Sequence, residues 1–205
     1  MVSFAQRRKD LVRELELGGI RDKEVLATVS KVPREDFVPE SLRDSAYENT
    51  ALPILKDQTI SQPFTVAFML EVLELKKGLK VLEIGAGSGY NAALISELVK
   101  PGKVVTTEII PEVFEFAKKN LRDYKNVRVT LKDGTKDIKQ KFDRIIITAA
   151  SSKVPESLIE ALKDPGILIA PIGPKGCQSM VRITKEDKRI RKESFGSFVF
   201  VPLRH

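Results

Sequence analysis

At 205 residues and 42% hydrophobic content, the chain has room for one sizeable α/β domain with an appended segment, and it contains no apolar run near the ~18 residues that a membrane span needs. One cysteine, Cys177, leaves no intramolecular disulfide, and one histidine, His205, leaves no Cys/His zinc site, so no metal is expected. The 35 Lys and Arg against 28 Asp and Glu give a net charge of +7, which suits either an anionic partner or a solvated basic surface with interspersed acids; the 31% charged content, above the usual ~25%, leans towards thermophilic composition.

The start, Met1 to Asp10, lacks the apolar stretch of a secretory signal and reads as cytoplasmic. Leu11, Leu15, Ile20, Val25, Leu26 and Val29 recur near helical spacing until Pro33 and Pro39 interrupt the pattern. Residues 47–63 read as ordered loop and short strand pieces. The spacing therefore predicts a helical N-terminal extension over 1–59 and a core over 60–205 within one domain.

From Pro63, the run Phe64 to Leu73 predicts a buried helix continuing towards Lys76, with Gly78 at its left-handed end. Strands are expected at Lys80–Ile84, Lys103–Thr107, Val127–Leu131, Asp143–Thr148 and Gly166–Pro171. Helices are expected between them at Asn91–Val99, Pro111–Arg122 and Pro155–Leu162. Ser179–Thr184 and Ile190–Phe195, joined across Lys185–Arg189, read as an antiparallel hairpin. The fold class is α/β: a Rossmann-like, mostly parallel sheet with a C-terminal antiparallel hairpin and an N-terminal helical extension.

The first strand runs into Gly85-Ala86-Gly87-Ser88-Gly89, which places unhindered backbone amides at the carboxyl edge of the sheet, where α/β folds bind ligands. A glycine turn also lets a helix pack close to its strand. A dinucleotide fingerprint needs glycine where Tyr90 stands, and a P-loop needs a Gly-Lys-Ser/Thr run that is absent. Glu108, about 20 residues on, suits ribose hydroxyls. Asp133-Gly134 adds an acid and a tight turn suited to an adenine amino group, so three strand ends converge on one nucleoside.

This pattern resembles the Rossmann-like methyltransferases that use S-adenosylmethionine, whose first motif reads V-L-E-I-G-x-G-x-G-Y. The resemblance implies S-adenosylmethionine held by Glu83, Gly85, Gly87, Gly89, Glu108, Ile109, Asp133 and Gly134. Glu83 beside the loop suits a cationic sulfonium and would repel a pyrophosphate.

Further segments narrow it: Pro33-Arg34-Glu35-Asp36-Phe37-Val38-Pro39, Ala46-Tyr47-Glu48-Asn49, Thr59-Ile60-Ser61-Gln62-Pro63, Phe142 to Ala150, Val154-Pro155, Pro171-Ile172-Gly173 and Phe200-Val201-Pro202-Leu203. Together these are similar to the protein-L-isoaspartate O-methyltransferase family, across nearly the whole chain. The family implies methyl transfer to the free carboxylate of isoaspartyl, and also D-aspartyl, residues in damaged proteins, the first step of repair. Its active-site serine falls on Ser61, which could equally cap the helix after Pro63. A carboxylate acceptor is ionised at neutral pH and needs positioning more than a base, which fits a chain without an internal histidine.

Three positions depart from the family. Gln62-Pro63-Phe64 stands where Ala-Pro-His is usual, which removes an imidazole from the acceptor side. Thr135 to Lys139 replaces a glycine-rich stretch. The chain stops soon after Leu203, so acceptor contacts that relatives make beyond that point are not expected. Two rival readings stay open at this stage: a nucleic-acid methyltransferase of the same fold, and a catalytically inactive cofactor-binding relative. Thr148-Ala149-Ala150-Ser151 lacks the Asp/Asn-Pro-Pro-aromatic run of adenine-N6 or cytosine-N4 enzymes, which makes nucleic acid the weaker partner.

Overall fold

The computed structural model describes residues 2–204, so the sole histidine, His205, lies outside the described residues. Helix α1 (Phe4–Leu17) starts on Ser3, whose hydroxyl accepts the Gln6 amide at 3.2 Å. Helix α2 (Lys23–Lys31) starts on Asp22, which accepts two amides at 2.9 and 3.1 Å. Their apolar faces, with Leu11, Leu15, Val25 and Val29, are buried and join one hydrophobic cluster with the helices of the core. After Pro33 and Pro39 the chain takes two 3₁₀ segments, Arg34–Asp36 and Glu40–Ser45, because each proline ends the preceding helical run. Two short strands, β1 (Leu52–Pro53) and β2 (Thr59–Ile60), then pair antiparallel and deliver Ser61 to helix α3 (Pro63–Leu73).

Helix α3 stops earlier than its sequence suggests. Glu74, at φ 51°, takes the left-handed position at the helix end, Gly78, also left-handed at φ 86°, lies in the turn beyond it, and Arg144 supplies the end: its Nε donates to the Leu73 carbonyl at 2.7 Å and its Nη2 to the Glu74 carbonyl at 3.1 Å. A cation placed there satisfies carbonyls that a glycine turn would otherwise handle.

The core alternates strand and helix: β3 (Lys80–Ile84), α4 (Tyr90–Val99), β4 (Lys103–Glu108), α5 (Pro111–Asn120), β5 (Val127–Leu131), β6 (Phe142–Ile147), α6 (Glu156–Ala161), β7 (Leu162–Ile172), β8 (Gln178–Glu186) and β9 (Arg189–Phe198). The sheet order is β5-β4-β3-β6-β7-β8-β9, parallel through β7 and antiparallel beyond it. From β3 the chain builds outwards through β4 and β5, then crosses back to lay β6 on the other side of β3. That reversal opens a crevice at the carboxyl ends of the strands, the expected ligand position in an open α/β sheet.

The hairpin turn is tighter than its sequence suggests. Only Asp187 and Lys188 form it, both left-handed at φ 51° and 62°, and the Asp164 carboxylate accepts both amides at 3.0 and 2.7 Å. Those two bonds offset a conformation that non-glycine residues disfavour.

Candidate functional site

The crevice is an open cleft at the carboxyl ends of the strands, where small-molecule sites of open α/β sheets lie. Its walls include Gly85, Gly87, Glu108, Ile109, Asp133 and Gly134 from the strand ends, and Ser61 from the segment before α3. Six of the eight residues expected to hold a nucleoside cofactor therefore share one surface, and the expected acceptor residue lies beside them.

The glycine loop is wired differently from the expectation of free amides. Gly85 and Ala86 both donate to the Thr107 carbonyl at 2.9 Å, Gly89 donates to Ala86, and Gly87 donates to the Glu108 carboxylate at 3.1 Å. A phosphate cradle needs such donors turned towards its ligand. Here they are turned inward, which agrees with a ligand whose nearby charge is positive. The loop is also crowded from behind: a side chain on Gly85, at φ 96°, would bring its Cβ to 2.5 Å from the Thr148 hydroxyl. That hydroxyl donates to the Gly85 carbonyl at 2.6 Å.

Two expected contacts lie off the cleft wall. Gly89 takes φ 88° at the start of α4, where a Cβ would come within 2.9 Å of Leu121 on the far side. Its bareness serves close packing of loop against helix. Glu83 is fully buried behind the loop, accepting from the Thr106 hydroxyl at 2.5 Å and from Asn91 Nδ2 at 2.7 Å. Burial pushes its carboxyl up to about 7, with the charge of Glu108 adding to the rise against those two hydrogen bonds. Glu83 therefore reaches the cleft through Asn91, which does line it and whose Oδ1 meets no hydrogen-bond donor among the described residues. An acceptor of that kind suits an ammonium or amide donor on a bound molecule.

Glu108 ends β4 with one carboxylate oxygen on the Ile109 and Ile110 amides, at 2.9 and 3.1 Å, and the other on Gly87. The bonds fix its orientation, and a carboxylate keeps further lone pairs for ribose hydroxyls. Asp133 accepts from the Thr135 amide and hydroxyl at 2.9 and 2.6 Å and pairs with Lys136 at 2.9 Å. Burial alone would raise its carboxyl, but these partners outweigh it and hold it down at about 2. Thus it stays an anion, suited to an amino donor. Gly134 is needed because a Cβ there would stand 2.1 Å from the Thr107 hydroxyl.

A second groove adjoins the cleft across Ser61, Thr59 and Thr148. It runs between the segment 50–51, the start of α3 at Gln62, Phe64 and Thr65, and the hairpin ends around Cys177 and Ser197–Val199. No Lys, Arg, Asp or Glu lines it among the described residues. Ser61 stands on the ridge common to both hollows. It does not cap α3: the N-cap is Gln62 without a side-chain bond, and Asn49 Oδ1 instead accepts the Phe64 amide at 3.0 Å. Phe64, in place of the family's histidine, stacks on Phe68 at 6.3 Å, and Phe68 stacks on Phe198 at 5.5 Å. This aromatic column ties α3 to the edge strand and forms part of the groove wall.

Sequence reasoning missed several parts. The tail from Phe200 to Arg204 closes one side of the cleft, held at Ala150 by hydrogen bonds with Val201 at 2.7 Å and Leu203 at 2.8 Å. Its apolar Phe-Val-Pro-Leu run was the visible signal. Arg34, fully buried, donates from Nε to the Ala46 carbonyl at 2.9 Å and from Nη2 to the Ser61 carbonyl at 3.0 Å, and stacks 5.0 Å over the Tyr90 ring. Burial draws its guanidinium down to about 10. No charge pattern in the sequence marks it as buried.

The comparisons with known proteins agree. The family described as Protein-L-isoaspartate(D-aspartate) O-methyltransferase (PCMT) matches residues 6–205. A Methanopyrus kandleri protein named Protein-L-isoaspartate O-methyltransferase is 47% identical, over 98% of this chain and 92% of its own length. A Dictyoglomus turgidum protein of the same name is 46% identical, over 98% and 92%. A Plasmodium falciparum crystal structure described as a protein-L-isoaspartate O-methyltransferase, in complex with S-adenosyl-L-homocysteine, superimposes with a TM-score of 0.84 at 27% identity, covering 96% of this chain and 98% of its own.

Proposed function

Because the chain belongs to the protein-L-isoaspartate(D-aspartate) O-methyltransferase family, we propose that it methylates the free carboxylate of isoaspartyl, and also D-aspartyl, residues in damaged proteins from S-adenosylmethionine. The observation that carries the reading is the position of Ser61 on the ridge between the nucleoside-suited cleft and the uncharged groove. One hollow takes the cofactor and the other an extended peptide. Thr59 and Ser61 of the family's motif both bring hydroxyls to that meeting line, and the family's active-site serine falls on Ser61.

When bound, S-adenosylmethionine supplies an electrophilic methyl carbon on a cationic sulfonium. Glu108 would hold the ribose hydroxyls, Asp133 would accept from the adenine amino group, Ile109 would pack beside the base, and Gly85 and Gly87 would let the loop backbone come close. Ser61 donates a hydrogen bond to the acceptor carboxylate and aims one of its oxygens at the methyl carbon. The bound cofactor would supply its methyl group to that oxygen, the electron pair of the carbon–sulfur bond staying with sulfur. No proton moves, so the site needs no base, and it has no histidine among the described residues. The acids on the cofactor side favour the positive charge that the reaction consumes.

An uncharged groove suits a polypeptide better than a phosphate backbone, which supports a protein acceptor over nucleic acid. No helix among the described residues is long and apolar enough to cross a membrane, and the exposed, free Cys177 is at home in a reducing cytoplasm. We read the chain as one unit, since the N-terminal helices share their core with α3 and α4. Incubation with labelled S-adenosylmethionine and matched peptides carrying isoaspartate or ordinary aspartate tests the function. Label on the isoaspartyl peptide alone supports it; label on neither refutes it.

A further inference from the structure

A buried guanidinium is ordinarily matched by a carboxylate, because an isolated charge in a protein interior is costly. Arg34 has no such match. Among the described residues it forms no ion pair, and its Nη1 meets no hydrogen-bond acceptor. The neighbouring acid, Glu35, is committed elsewhere, to Arg8 at 3.0 Å and to the Tyr47 hydroxyl. What Arg34 does hold is the carbonyl of Ser61, the face of Tyr90 behind the glycine loop, and the carbonyl of Ala46.

The charges around the site are therefore divided. Glu83, Glu108 and Asp133 stand on the side of the strand ends together with Lys132, Arg204 lies on the tail at the cleft, and Arg34, buried and without an ion pair among the described residues, stands directly behind Ser61. The two reacting groups carry charges of the opposite arrangement: a sulfonium on the first side and a carboxylate on the second.

We propose that Arg34 is a positioning residue for the acceptor, fixing the Ser61 backbone and supplying, from behind it, the counter-charge that draws the substrate carboxylate to the ridge. This rests on the carboxyl-methyltransferase reading above. It also has a direction. The acceptor loses its negative charge as the ester forms, so Arg34 favours the carboxylate substrate over the neutral ester product and thereby helps discharge the ester. Its effect falls on peptide binding, while cofactor affinity is left unchanged.

The test compares binding of an isoaspartyl peptide and of the same peptide as its methyl ester, both with S-adenosylhomocysteine present, to the wild-type protein and to Arg34→Gln and Arg34→Lys. The wild type is expected to prefer the carboxylate by about tenfold, the order that one nearby charge supplies at a partly screened distance. Arg34→Gln is expected to lose that preference with cofactor affinity held within about twofold, and Arg34→Lys to keep it only at a pH low enough to protonate a buried amine, because burial discharges lysine more readily than arginine. A purely structural role would weaken carboxylate and ester alike. Equal binding of the two peptides by the wild type, or an unchanged preference in Arg34→Gln, overturns the proposal, and the first of these needs no variant to fold. Wild-type turnover of the isoaspartyl peptide, measured alongside, keeps the outcomes apart: turnover without carboxylate preference removes the role of Arg34 alone, and no turnover removes the functional reading with it.

Discussion

Asn49 caps a helix from fifteen residues upstream: its Oδ1 accepts the Phe64 amide at 3.0 Å, while its Nδ2 reaches Glu14 at 2.9 Å. The side chain thus joins α1 to the start of α3 and leaves the Ser61 hydroxyl free of the capping duty that its place in the sequence suggested. Asn49→Ala is expected to lower stability by about 1 kcal/mol, the usual loss for an N-cap. It should reduce turnover more than cofactor affinity, since the Ser61 segment loosens while the strand ends do not. Thermal melts beside steady-state kinetics check this, and a variant with normal kcat would show that the cap does not position Ser61.

Ser61 and Glu108 should separate in their effects. Ser61→Ala removes one hydrogen bond to a charged acceptor, worth about 1.5–3 kcal/mol, so kcat is expected to fall about 10- to 100-fold with cofactor affinity nearly constant. Glu108→Ala removes the ribose acceptor and also releases the Gly87, Ile109 and Ile110 amides that it now holds, so its loss should appear as weaker cofactor binding. Calorimetric titration of both variants decides the matter; equal loss of cofactor affinity in the two contradicts these roles.

Glu83 predicts a pH dependence. Its carboxyl is raised from an ordinary 4.5 to about 7 by burial, so the folded protein holds a proton there that the unfolded chain releases. Its contribution to stability is full below about pH 4.5 and is lost as pH rises through about 7. Glu83→Gln keeps one acceptor oxygen for Asn91 and turns its amide nitrogen to the Thr106 hydroxyl, which can accept, and is expected to flatten the melting temperature across that interval. Cofactor binding should act in the opposite sense, because a sulfonium favours the ionised carboxyl: wild-type affinity should rise with pH up to about 7, with proton release on binding. A Glu83→Gln protein with an unaltered pH profile would rule this out.

Phe64 tests the departure from the family's histidine. Phe64→His keeps a ring but breaks the stack on Phe68, so stability should fall by about 0.5–1.5 kcal/mol, the range of an aromatic pair. Because Phe64 lines the peptide groove and not the cofactor cleft, the change should move the peptide KM and leave cofactor affinity alone.

Much of this architecture was legible in the sequence, and several of the parts that were not share a cause. Strands such as Lys80–Ile84 and Val127–Leu131 are apolar runs bounded by turns, and their limits coincide with those observed. The residues at the strand ends followed, because strand order in a parallel sheet dictates which ends meet. Several differences from the sequence reading involve a side chain arriving from elsewhere. Arg144 ends α3 before Gly78, Asp164 tightens the hairpin turn, and Leu121 claims the space that makes Gly89 bare. Glu83 looked like a contact because it adjoins the loop, yet strand alternation turns it into the interior. Arg34 was visible as part of the Pro33–Pro39 family segment, with nothing to mark it as buried.

The groove beside Ser61 has a consequence for what the protein can repair. Its walls are threonine, glycine, serine, glutamine and aromatic or aliphatic side chains, with no charge among the described residues to welcome or repel a neighbour of the damaged residue. On the proposed reading, neighbours of either charge would be accepted alike beside the damaged residue.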